Sequence, residues 1–450
     1  MARISRALIA DSSLATLNEM GAQLRAFGCL TLIETSASRI RDRARTERPD
    51  AVMLGMGFSD GEQERAAEEL KADPVTRRIP LILAGPAIQH VEISESLMAR
   101  LDGMIPLPIL PEELCAKLNA SLRLKVMRAE LLRRQVTYGR YGINSFSGQQ
   151  TPGLERRRLL LVRSAGTSLV AKASELMRSL PGTDSIKPVE PANTIEALLK
   201  ARRDALIVLG EEVNDGSGIE LCADIRRHSS LFHLPIIYFD PRPDGATRAQ
   251  AFAAGASEVL SPPFDASAMI RVLELAGRRA ALRGRLHAAY QTGVNAETND
   301  PVTGLFTAEF LHKHLELLVE DAFRWDLSLS VVTCVVPQLA SIRHDHGRDA
   351  AAALRRSVAT MFSRLVRGED LCASLGDHTF CIVTPECTLE SAAPIMSRLR
   401  GVIDHTEFSV PDINRPISLH AELGSAEYKP GDTVESLLGR AQEAALRVAA

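Results

Sequence analysis

Residues 367–380 read RGEDLCASLGDHTF: an arginine and an aspartate three apart, then a Gly376-Asp377 turn. The turn leads into a short apolar run, Phe380-Cys381-Ile382-Val383, so the segment predicts a β-hairpin. Arg-x-x-Asp has the chemistry of a ligand clamp. A guanidinium donates through a rigid bidentate fork, and a carboxylate accepts from an N–H edge. Outward from the hairpin, Leu329 to Val336 is an apolar, β-branched run that reads as a central strand. Ala351 to Leu365, Glu390 to Ile403 and Val434 to Val448 have helical periodicity, and Ile417 to Leu423 reads as a strand. Asp300-Pro301-Val302-Thr303-Gly304-Leu305 is a turn before a helix that starts near Thr307. The expectation for residues 299–450 is an α/β domain with a mainly antiparallel sheet.

At 450 residues the chain is long enough for about three domains, each able to bury a core. Apolar content of 45% and charged content of 24% are ordinary for globular proteins, and a net charge of −3 gives no general pull toward nucleic acid or anionic lipid. The basic runs Arg156-Arg157-Arg158 and Arg278 to Arg285 read as solvated faces beside linkers. Seven cysteines without CxxC or Cys/His spacing argue for a reducing compartment and against zinc. No apolar stretch approaches the ~18 residues that span a bilayer, and the N-terminus is not a signal peptide, so a cytoplasmic protein is expected.

Residues 1–125 alternate apolar runs with helical patterns. The runs are Ala7–Ala10, Leu30–Ile33, Ala51–Gly55, Leu81–Ala84 and Gly103–Ile105. Continuously apolar strands separated by helices predict a flavodoxin-like, doubly wound parallel sheet. The same grammar recurs over residues 156–285, with strands at Leu159–Val162, Asp204–Leu209, Leu234–Phe239 and Gly255–Leu260, which indicates a duplicated domain. Residues 126–155 read as a helix extension and linker, the linker rich in Gly, Ser, Gln and Tyr from Thr137 to Gly153. Ala266 to Tyr290 reads as a long helix, and 286–298 as a stalk and linker.

Both parallel-sheet domains resemble receiver domains of bacterial response regulators. That resemblance implies an acidic pair after strand one, a phosphorylated Asp after strand three, Thr or Ser after strand four, and Lys before a Pro after strand five. In the first domain those places hold Asp11-Ser12, Gly55, Gly85 and Leu107, while Asp50 lies at the wrong end of its strand and Asp60 in the loop after it. In the second, Gly210, Asp240 and Pro262 stand for the acceptor, the Thr or Ser and the Lys, with Gly255-Ala256 and Pro263-Phe264 as landmarks. A glycine carries no nucleophile, and without a second carboxylate Mg²⁺ is poorly held. No phosphorylation is expected at either domain. Two domains that lose the same set argue for folds kept as interaction surfaces.

The Asp-x-x-Thr-Gly-Leu turn, the Ile342 and Gly347 pair and the hairpin after RGED resemble a GGDEF (diguanylate cyclase) domain. The whole chain resembles the PleD-type receiver–receiver–GGDEF architecture, and in its losses the PopA-like group of non-catalytic GGDEF effectors of cell-cycle control. The family joins two GTP molecules with carboxylate-held Mg²⁺. Its metal carboxylates fall at Val335 and His378, its acidic fourth motif position at Thr379, and its guanine-reading Asn and Asp at Arg343 and Ala352. The family's phosphate-holding Lys and Arg have no counterpart before Ala450. No catalytic residue, metal or cofactor is therefore expected.

The family's inhibitory-type site is different. It binds cyclic di-GMP at an Arg-x-x-Asp five residues upstream of the GGDEF turn, and Arg367-Gly368-Glu369-Asp370 stands at that offset from Gly376. Counting without a gap places the site's further arginine at Arg398, and Arg324 supplies an additional contact across a dimer. The resemblance thus implies a homodimeric cyclic di-GMP receptor that acts on protein partners, including proteolysis adaptors, at a cell pole. The bland reading of Arg367 and Asp370 is a surface ion pair worth about 0–1 kcal/mol. The alternatives in function are a nucleotide-free scaffold, an active cyclase and a phosphorylation-driven regulator.

Overall fold

A computed structural model describes residues 6–86, 91–143, 157–162, 183–200, 205–209, 217–228, 231, 234–240, 245–261, 266–292, 297–410, 413 and 415–449. Gly210, Pro262, Pro263, Phe264 and the distal part of the expected linker lie outside the described residues. The chain divides into two compact units. One comprises Arg3–Lys125 and Gln150–Ala281, the other Val126–Gln149 and Leu282–Ala450.

The first of these units holds two five-stranded parallel sheets. In the first sheet β1 (Arg6–Ala10), β2 (Leu30–Glu34), β3 (Ala51–Gly55), β4 (Leu81–Pro86) and β5 (Gly103–Leu107) lie in the order β2-β1-β3-β4-β5. In the second, β6 (Arg157–Val162), β7 (Thr183–Val189), β8 (Ala205–Leu209), β9 (Ile236–Phe239) and β10 (Glu258–Leu260) lie in the order β10-β9-β8-β6-β7. Both are the doubly wound order expected from the apolar runs. Ala7–Ala10 and Ala51–Leu54 are buried because helices cover both faces. β7 escaped the periodicity reading: its sequence, TDSIKPV, is polar and contains Pro188, which suits an edge and not a central strand.

Local caps explain where helices begin. Ser13 caps the helix Leu14–Ala26 by accepting from the Thr16 amide. Asp60, expected in a loop, instead opens the helix Asp60–Ala72, which a Ser59/Glu62 capping box starts one residue earlier. The two sheet domains of this unit meet through their last strands and helices. Lys117 bonds Glu258 at 2.6 Å, and Arg248 holds Glu113 with both arms at 2.7 and 2.9 Å. In the reverse direction Arg278 donates to the carbonyls of Met98 and Leu101.

In the other unit β11 (Phe306–Thr307), β12 (Leu329–Val335), β13 (Leu371–Ser374), β14 (Thr379–Pro385) and β17 (Glu422–Glu427) form a sheet in the order β11-β13-β14-β12-β17. Only the β11–β13 pairing is parallel. Strand alternation sends Val332 and Cys334 to a core under the helices Gln338–Leu365 and Leu389–Asp404. Val331 and Val383 go to the opposite core, under the helices Ala308–Trp325 and Val434–Ala449.

Three expectations change here. The strand expected over Ile417–Leu423 splits into a two-residue β16 (Ile417–Ser418), paired with β15 (Glu407–Phe408), and β17. Between them the backbone donors are diverted to side chains: His420 N–H to Gln338 and Ala421 N–H to Asp404. The helix expected from Ala351 is preceded by another from Gln338, and the two meet at Gly347, whose φ of 86° only glycine adopts without strain. Thr137 and Tyr138, expected as linker, are fully buried in the helix Pro111–Gly139, with the Tyr138 ring 5.0 Å from Phe310.

Candidate functional site

The RGED segment is a tight turn between the helix Gln338–Leu365 and β13. The Asp370 amide donates to the Arg367 carbonyl at 3.1 Å, and the Asp370 carboxylate accepts from the Arg367 amide at 2.8 Å. The turn therefore closes on its own backbone. Asp370 is held by main chain, and among the described residues the Arg367 guanidinium makes no ion pair. That geometry differs from the surface ion pair of the bland reading. Glu369 and Asp370 are buried, and Arg367 is half-buried.

Arg398 reaches the same place from the helix Leu389–Asp404. Its Nη2 donates to the Leu365 carbonyl at 2.6 Å, two residues before Arg367. Burial pushes the Arg398 guanidinium below its usual value. The Arg367 charge beside it pushes the same way, against Asp370. Two guanidinium groups crowded at one turn favour an anion between them, since an anion relieves their repulsion and forms charge-assisted hydrogen bonds. Arg324 is placed elsewhere. It sits on the helix Ala308–Trp325, which covers the opposite face of the sheet, and pairs with Glu320 one turn back.

The Gly376-Asp377-His378-Thr379-Phe380 turn follows five residues later. Leu375 N–H bonds Thr379 O at 2.9 Å and Val336 N–H bonds His378 O at 2.9 Å, which fixes the hairpin against the end of β12. At the strand ends Val335 stands opposite Thr379. Among the described residues no group of His, Cys, Asp and Glu has the makings of a metal site. Asp377 is taken by arginines: Arg343 pairs with one oxygen, and Arg355 lies 3.3 Å from the other. Buried Arg355 also reaches Asp300 at 3.3 Å, Ser374 Oγ at 3.1 Å and the Gly376 carbonyl at 3.2 Å. Sequence reasoning missed this lattice: Arg343 entered only as the place of the family's guanine-reading Asn, and nothing in the local pattern singles out Arg355.

In the first parallel-sheet domain the place of the phospho-acceptor is filled. Asp11 is fully buried, with its carboxylate accepting from the Ser13 amide at 2.6 Å and the Gly57 amide at 3.0 Å. A β-carbon at Gly55 would overlap that carboxylate, and one at Gly85 would overlap Met56. In the second domain Asp240 is fully buried at the end of β9, while Gly210 and Pro262 lie outside the described residues.

Among the described residues no helix is long and apolar enough to cross a membrane. Residues 297–449 match the family model for the diguanylate cyclase GGDEF domain. Over 402 residues the chain is 23% identical to the response regulator PleD of Caulobacter vibrioides, covering 89% of this chain and 87% of that protein. It is 31% identical over 133 residues to the transcriptional regulatory protein YvrH of Bacillus subtilis, covering 29% of this chain and 50% of YvrH. Among solved structures, the GGDEF domain of DgcB from Caulobacter crescentus in complex with c-di-GMP is similar at 19% identity and a TM-score of 0.33, covering 34% of this chain and 88% of that one. The matches to the GGDEF family model and to PleD, with two parallel-sheet domains preceding residues 297–449, support a receiver–GGDEF architecture.

Proposed function

We propose that the chain is a catalytically silent receptor for cyclic di-GMP, which binds at the RGED turn and is reported to protein partners. The observation that carries this reading is the pairing of a backbone-held Asp370 with a guanidinium on Arg367 that makes no ion pair among the described residues, next to Arg398. The Asp370 carboxylate accepts from the N–H edge of guanine, Arg367 donates to its O6 and N7 or stacks on the base, and Arg398 meets the phosphodiester. Each good bidentate pair is worth ~1–3 kcal/mol of discrimination.

The silence of the cyclase motif rests on its residues. Val335 and His378 offer no carboxylate pair for Mg²⁺, and Arg343 closes onto Asp377 at a position where the family reads guanine. The two receiver-like domains serve as interaction surfaces. By resemblance the receptor is a cytoplasmic homodimer that works in cell-cycle control at a pole, with adaptors of regulated proteolysis among its partners.

Calorimetry with cyclic di-GMP on the wild-type chain and Arg367→Ala tests the proposal. Saturable heat from the wild type that is lost in the variant is expected. Equal heats from both would put binding away from Arg367 and overturn the RGED site, and none from the wild type would leave the nucleotide-free scaffold as the reading.

A further inference from the structure

The RGED turn does not stand alone in its unit; it is gripped from two sides by helices that are remote in sequence. Beneath it runs the end of the helix Pro111–Gly139, whose inner face carries Glu130, Arg133, Arg134 and Thr137, all buried. Arg134 uses both ends of its fork. Its Nε donates to Glu130 Oε1 at 2.8 Å and its Nη2 donates to the main-chain carbonyl of Asp370 at 3.0 Å. Glu130 is shared further: Arg133 Nη1 donates to Oε2 at 3.2 Å, and His314 Nε2 lies 3.1 Å from Oε1. His314 in turn bonds Thr137 Oγ1 at 2.9 Å, and Arg133 Nε bonds Asp321 at 2.8 Å. On another side of the turn, the stem of Arg283, from the helix Ala266–Thr292, lies against Gly368. A β-carbon there would be 3.3 Å from Arg283 Cγ.

A buried ionic cluster of this size is costly to desolvate. Apolar residues of similar volume would hold two helices together as well or better, so stability alone does not account for it. What an apolar contact cannot do is fix the orientation of one peptide group. Arg134 does this, because its planar fork ties the Asp370 carbonyl to a carboxylate that is itself held on three sides. That carbonyl and the Asp370 side chain leave the same Cα, so the peptide group that Arg134 fixes is the base from which the carboxylate projects.

We propose that Arg134 is a positioning residue for the ligand turn, through which the segment Val126–Gly139 sets affinity for the dinucleotide and is tightened when the dinucleotide binds. This rests on the proposed ligand site. The coupling is reciprocal by thermodynamic necessity: if helix docking raises ligand affinity, the ligand strengthens helix docking by the same factor.

Arg133 supplies an internal control. It is buried on the same helix turn and shares Glu130, but its second bond goes to Asp321 and not to the RGED turn. The experiment measures cyclic di-GMP affinity by calorimetry for the full chain and for Arg134→Met, Arg134→Lys and Arg133→Met, with thermal unfolding of each. Hydrogen exchange of residues 126–139 is followed with and without ligand.

Expected are a loss of about tenfold or more in affinity for both Arg134 variants and a change within about twofold for Arg133→Met. Ligand-induced slowing of exchange is expected in the wild type and its absence in Arg134→Lys. Lysine keeps a charge beside Glu130 but cannot reach two acceptors in one plane, so the proposal stays testable if Arg134→Met fails to fold. Wild-type affinity in Arg134→Lys, or an equal loss in Arg133→Met, would overturn the positioning role while leaving the ligand site intact. A wild type that takes no ligand would overturn both.

Discussion

The carboxylate of Asp11 occupies the space in front of Gly55, where a β-carbon would overlap it. That carboxylate accepts from the Ser13 and Gly57 amides, so its position in front of Gly55 is fixed by main chain. Replacing the missing aspartate should fail. Gly55→Asp is expected to take no label from acetyl phosphate and to lose about 1–3 kcal/mol of stability from overpacking, read from urea unfolding. Labelling at residue 55 would show that the pocket reopens.

Restoring the metal carboxylates should not restore the enzyme. The double variant Val335→Asp with His378→Glu still has Arg343 and Ala352 where the family reads guanine, and Arg343 still closes on Asp377. Incubation with GTP and Mg²⁺ is expected to give no cyclic di-GMP for the wild type or this variant. Product from the wild type alone would end the receptor-only reading.

The two arginines on Asp377 differ in burial, and their removal should differ in cost. Arg343 and Asp377 are both about half exposed, so Arg343→Met is expected to cost about 0–1 kcal/mol. Arg355 is 9% exposed and also serves Asp300, Ser374 and the Gly376 carbonyl. Arg355→Met removes a buried donor from all of these acceptors at once and is expected to cost about 3 kcal/mol. Urea midpoints of the two variants give the comparison; equal costs would contradict it.

Glu130 should leave a mark on acid stability. Burial pushes its carboxyl up, but His314, Arg134 and Arg133 outweigh burial and hold it down to about 2, against an ordinary 4.5. A folded value below the unfolded one means that its contribution is full above about pH 4.5 and is lost as pH falls toward about 2. The stability gap between wild type and Glu130→Gln is therefore expected to narrow through that window. Chemical denaturation at several pH values reads it, and a gap that is constant or widens with acid would refute the assignment.

Much of this was legible in residue order, for a local reason. Apolar runs such as Leu81–Ala84 and Leu159–Val162 announce buried parallel strands because every residue in them must be apolar. The offset from Asp370 to Gly376 was legible because both ends belong to one hairpin, where Ser374 pairs with Phe380 and Leu371 with Val383. β7 was not, since an edge strand needs no apolar run. Nor was the break inside Ile417–Leu423, since Gln338 and Asp404 capture its amides from other elements.

The sequence by itself determined the order of most elements, the offset of RGED from the Gly376-Asp377 turn and the absence of carboxylates at Val335 and His378. These depend on side-chain type and on spacing within one or two elements. Only the tertiary structure decided what the charges do. Arg134 and Asp370 are 236 positions apart, and Arg133 and Asp321 are 188 apart. In a helical pattern a buried arginine looks the same as a solvated one. Whether it is a surface charge or the support of a ligand turn depends on which acceptor the fold carries to it, and periodicity holds no record of that.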